Sequence, residues 1–152
     1  MNVLTYADIC HAIADDLRAQ SFAERVMAFD EIEETIPDLP CLHIYPDSGE
    51  VDSGGNNDRA VFDASRRRTE LTLYIDGYAR QRSNLSEDLK AQMALIDAID
   101  AWLCRQTNPP YLGVAGLKAF HWRWERTTFP FGGGEIKTMY AGCQFTLTLV
   151  IF

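Results

Sequence analysis

The 152-residue chain has no CxxC pair, no apolar run approaching ~18 residues and no excess of basic side chains. Its four cysteines, Cys10, Cys41, Cys104 and Cys143, are far apart, so neither a zinc-ribbon nor a thioredoxin-type motif is present. The opening MNVLTYADICHAIADDL has no basic n-region and no continuous apolar h-region, which is unlike a secretory signal. These gaps predict a reduced, intracellular place of synthesis, with the thiols buried as small hydrophobes, and no membrane span. Fourteen basic residues stand against 22 acids, giving a net charge of −8. A general nucleic-acid binder needs the opposite balance to displace counterions from phosphates.

What is present has an ordinary globular balance: 47% hydrophobic and 24% charged. The length suits a single domain over residues 1–152. The acidity is concentrated. Residues 1–50 carry eleven acids and two arginines, whereas residues 51–152 carry eleven acids and twelve bases.

Ile9, Ile13 and Leu17 recur at helical spacing, and Thr5 with Asp8 offers a T-x-x-D start, so a helix is predicted over residues 5–20. A short strand over 23–29 leads through an acidic run to Pro37 and Pro40, then a strand over 41–45 closed by Pro46. Residues 47–64, DSGEVDSGGNNDRAVFDA, read as a long flexible loop. It is either a surface insertion or a segment that orders on a partner. Leu71, Leu73 and Ile75 alternate with polar residues, predicting a strand over 65–79. A second helix follows to about residue 106, with Ser86 as N-cap and Leu89, Met93, Ile96, Ile99 and Leu103 as its core stripe. Two alternating runs, 117–128 and 135–152, form a closing hairpin around the tip Phe129 to Gly134. The fold class is α+β, a mostly antiparallel sheet with two main helices on one face and a long C-terminal β-hairpin.

Chemistry-bearing patterns are sparse. Gly132-Gly133-Gly134 lacks the Lys-Ser/Thr ending and the strand-to-helix context of a phosphate loop. Cys41 and His43 share one strand face, and His121 or Cys143 could join them as metal ligands, though the spacing favours ordinary sheet roles for His43 and His121. Asp97 and Asp100 read as a solvated helix back. Trp122 and Trp124 suit a core face under the second helix or an exposed strip at a subunit interface. No cofactor, metal or catalytic residue is expected, which makes this an interaction protein rather than an enzyme.

The order of elements resembles the tail terminator proteins of long-tailed bacteriophages, the minor tail protein U class. The resemblance is carried by ADICHAIADDLRA, LPCLHIY, RRRTELTLYIDGYAR, LSEDLKAQMALIDAIDAWLCR and the closing FHWRWERTTFPFGGGEIKTMYAGCQFTLTLVIF. It implies a homohexameric ring on the head-proximal end of the tail, within the virion, assembled in the host cytoplasm. The ring's partners would be the tail tube protein and the head–tail connector or neck protein, with DNA passing through its lumen unbound. On this reading N-terminal acids lining the lumen would repel DNA over about a Debye length, ~8 Å. A cyclic ring needs two different patches per subunit. The expected interface residues are Asp30, Glu31, Glu33 and Glu34, pairing with Arg66, Arg67 and Arg68. Asp52 and Asp58 in the loop, and Phe129, Phe131, Gly133 and Glu135 at the hairpin tip, complete the set. The alternatives are another phage neck or tail-completion protein, a small ligand- or metal-binding α+β domain, and a cellular adaptor.

Overall fold

The computed structural model describes residues 5–36, 38–52, 68–132 and 134–151. Helix α1 spans Tyr6–Arg18. Thr5 Oγ1 accepts from the Asp8 amide and the Asp8 carboxylate accepts from the Thr5 amide, each at 3.0 Å. This complete capping box satisfies two of the amides that a helix start leaves without partners. The Thr5 amide, and after it the Thr5 side chain, hold the Asp8 carboxyl below its usual range. Ile9, Ile13 and Leu17 are buried as their spacing predicts, with Cys10 and Ala14 beside them.

Strands β1 (Arg25–Ala28), β2 (Cys41–Asp52), β3 (Arg68–Gln81), β4 (Leu117–Phe131) and β5 (Thr138–Ile151) make one sheet in the order β1-β2-β3-β5-β4. Only the β1–β2 pair is parallel. Helix α2 spans Leu85–Cys104 between β3 and β4. The fold is therefore α+β, with β4 and β5 as the closing hairpin. Leu42, Ile44, Leu71, Leu73, Ile75, Cys143, Phe145, Leu147 and Leu149 meet both helices in a single hydrophobic cluster. Each large side chain removed from water there contributes roughly 1.5–3 kcal/mol. Polar bonds lock the layers as well. Gln92 Nε2 donates to Gly142 O at 2.9 Å and Thr127 O at 3.0 Å, fastening α2 to the hairpin. Trp102 Nε1 donates to Asp16 at 2.7 Å, joining α2 to α1, and Trp122 Nε1 donates to Asp100 at 2.8 Å, joining β4 to α2.

Several sequence expectations are corrected. Residues 47–52 belong to β2, not to a loop, and Pro46 lies inside the strand. The register shifts between Pro46 and Ser48, so the missing proline amide falls at a bulge rather than in a regular ladder. Asp52 is a strand residue opposite Arg68; the remainder of the expected loop, including Asp58, lies outside the described residues. Asn84, not Ser86, caps α2, its side chain accepting from the Glu87 amide at 3.0 Å. Met93 is 41% exposed because the buried line of α2 runs through Asp88, Gln92, Leu95, Ile96, Ile99, Trp102 and Leu103. One residue off that line turns Met93 about 100° away from the core. Cys104 is exposed. The other three thiols are buried, and burial pushes Cys10 up to about 11 and Cys41 and Cys143 up to about 12.

Candidate functional site

The helices cover one face of the sheet, and strand alternation sends every second residue to the other. On that helix-free face Asp76 is 5% exposed. Tyr45 Oη donates to one of its oxygens at 2.6 Å and Gln144 Nε2 to the other at 2.9 Å, linking β2, β3 and β5. Burial raises the carboxyl of Asp76 against the lowering effect of these two bonds. Tyr45 is also raised, chiefly by burial and then by its bond to Asp76. With both oxygens engaged, Asp76 acts as a cross-strand tie.

Beside it, Cys41, Tyr78 and Tyr140 form a second buried cluster, closed by Ile36, Leu39, Phe129 and Phe131. His43 is 2% exposed, its ring 4.8 Å from that of Tyr78 and 5.4 Å from that of Phe131. Its Nε2 has no hydrogen-bond partner. Burial lowers His43 to about 4, so the ring is neutral. Phe129 and Phe131 are therefore β4 residues packed in this cluster, not a solvent-facing hairpin tip. Cys41 and His43 do share a face, but Cys143 lies in the opposite, helix-covered layer and His121 is exposed on β4. The metal site considered from the sequence is not assembled. A different trio, His11, Asp30 and Glu31, brings its ligand atoms within 4.8 Å of one another, which sequence spacing did not suggest. Its members already have partners: His11 Nε2 hydrogen-bonds Asp30 at 3.1 Å, and Arg18 donates to Glu31 at 2.6 Å. The Glu31 carboxyl is lowered first by the Ala28 amide it accepts from, then by Arg18.

The expected interface residues are thus dispersed. Asp30 meets His11, Glu31 meets Arg18 and Glu33 meets Arg25, the last at 3.8 Å, and Glu34 is exposed. An arginine from another subunit would have to compete for the first three. Arg68 is exposed at the start of β3, far along the sheet from that run, whereas Arg66, Arg67 and Gly133 lie outside the described residues. Glu135 is exposed between the hairpin strands, next to Ile136, which is 94% exposed.

Among the described residues, two strand edges are open instead. β1 pairs with β2 only from Cys41 to Ile44, so among the described residues β2 has no partner on that side from Pro46 onward. Residues 46–51 are all exposed. β4 is the opposite outer strand and, among the described residues, pairs with β5 alone. Unpaired strand edges are templates for another strand. The signal was available in the sequence as a β2 stretch carrying Asp47, Glu50 and Asp52 and a β4 stretch carrying Lys118, Arg123 and Arg126 against Glu125. The pairing order that leaves both edges open was not.

Fold and surface thus define an α+β sheet protein with helices on one face, a smaller buried cluster on the other and, among the described residues, two strand edges without partners. Neither the scan against family models nor the search of curated proteins finds a match to the chain.

Proposed function

We propose that this chain is a structural virion subunit, a tail terminator whose homohexameric ring caps the tail tube of a long-tailed bacteriophage. The ring stops tube polymerisation, offers its other face to the head–tail connector and lets DNA pass through its lumen. It resides at the head-proximal end of the tail after assembly in the host cytoplasm.

The observation that carries the reading is the presence on one subunit of two unlike sheet edges, unpaired among the described residues, which supply the two different patches a heterologous ring contact needs. The element order supports it too: an opening helix, the β2–β3 pair, a long second helix, then a closing hairpin whose last strand sits inside the sheet. The buried polar groups support it in a different way. Asp76 and Gln92 are spent on tying strands and helix together, and His43 is sealed among aromatic rings.

Electron microscopy of particles lacking this chain tests the proposal. Overlong tails without heads are expected. Tails of normal length that fail to join heads would replace it with a neck or joining role.

A further inference from the structure

Carrying the strand registers across the sheet shows where the two free edges lie. Glu50 aligns with Glu70, Val150 and Ala119 in one row, and Pro46 aligns with Leu73, Leu147 and Trp122 in another. The uncovered part of β2 is therefore level with residues 117–122 of β4, and β1 stops at the row of Ile44, Ile75, Phe145 and Trp124. Following the pairings, β2 and β5 run one way and β3 and β4 the other. If two copies are laid side by side in the same orientation, β4 of one meets the open β2 of the next antiparallel. That is the slightly more stable ladder per residue.

The charges match. On the β2 side Asp47 and Glu50 are exposed, and Glu50 sits directly opposite Glu70, a like-charge cross-strand pair that favours a nearby cation. On the β4 side Lys118 lies in the level stretch and Arg123 one residue beyond it, both exposed, whereas Glu125 and Arg126 fall in the rows of His43 and Leu42, where β1 covers β2. Among the described residues, none of Asp47, Glu50, Glu70, Lys118, Arg123 or Arg126 is in an ion pair. Both edges also carry an exposed apolar residue on the helix-side face: Val51, 40% exposed, and Trp124, 45% exposed.

We infer that the acidic free edge of β2 docks against the basic edge strand β4 of a second copy of this chain, head to tail. The pairing rests on the ring reading only for its closure; an unclosed version of the same contact would give a filament.

Charge-swapped chains test this without knowledge of the exact register. Variant one, K118E with R123E, has two acidic edges; variant two, D47K with E50K, has two basic edges. All four positions are exposed, and circular dichroism checks that each variant folds. Light scattering on the purified full chain should show a wild-type oligomer, and each variant alone near the monomer mass of 17.2 kDa. An equimolar mixture should regain the wild-type mass as an alternating assembly. Variants that each assemble like wild type would overturn the edge contact and leave the ring standing. Monomeric variants whose mixture stays monomeric would overturn it as well. A wild-type chain that is monomeric at every concentration would overturn it too, leaving the terminator reading to the micrographs described above.

Discussion

Gly142 of β5 lies against the backbone carbonyl of Gly77 on β3, so close that no Cβ could stand at position 142. Gly77 is crowded in turn: a Cβ there would meet Leu95 Cδ2 at 2.8 Å and Cys143 Sγ at 3.0 Å. The two glycines let β3 and β5 approach beneath α2, at the point where Gln92 takes the Gly142 carbonyl. Gly142→Ala should cost about 3 kcal/mol or more, since the obstructing atom is backbone and cannot rotate away. Urea unfolding would show it as a lower midpoint with an unchanged slope. Gly134→Ala, in the turn before β5 with nothing closer than 3.9 Å, should leave the midpoint nearly unmoved.

The indole of Trp102 is 1% exposed and donates to Asp16. Asp16→Ala strands that N–H, and the expected loss is about 1–3 kcal/mol. Asp16→Asn keeps an acceptor and should lose much less. Denaturation midpoints of the pair separate the hydrogen bond from the charge.

His43 gives the fold an acid limit. Its folded value, about 4, lies below the unfolded 6.5. As pH falls through 6.5 the unfolded chain takes up the proton first, so stability declines from there to about 4 and the loss is complete below. The full loss is up to roughly 3 kcal/mol by the linkage relation. His43→Phe, which keeps a ring between Tyr78 and Phe131, should flatten stability over that window and leave it similar at pH 7. A variant that retains the wild-type slope would assign the acid sensitivity to another group.

The start of α2 offers a short comparison. Asn84→Ala should cost about 1 kcal/mol through the lost bond to the Glu87 amide, while Ser86→Ala, inside the first turn, should cost almost nothing. Thermal unfolding of the two single variants decides between them.

The sequence displayed the fold wherever one period dominated. Ile9, Ile13 and Leu17 marked α1, and the alternation through Leu71, Leu73 and Ile75 marked β3. It misled where local chemistry outweighed period. Pro46 and the Ser-Gly after it read as a strand end, although a bulge carries β2 past them to Asp52. Asp97 and Asp100 read as a solvated helix back, yet Asp100 accepts from the Trp122 indole, a partner on β4 that only folding brings near. The candidate surface was less legible still. Asp30, Glu31 and Glu33 read as free interface charge, yet they fold back onto His11, Arg18 and Arg25 of their own chain in turn. The open edges depend on which strands become neighbours, a property of the whole sheet that no local window contains.

The placement of β5 between β3 and β4 also sets a timetable. β3 ends at Gln81 and β5 at Ile151, yet they share the middle of the sheet. At a synthesis rate of ~5–20 residues per second, β3 waits roughly 4–14 s for its neighbour. During that interval Leu71, Leu73 and Ile75 lack the strand that pairs beside them, and β4, once made, has no strand to lie against. On the edge contact proposed above, both edges are therefore displayed on a finished sheet only after β5 has arrived.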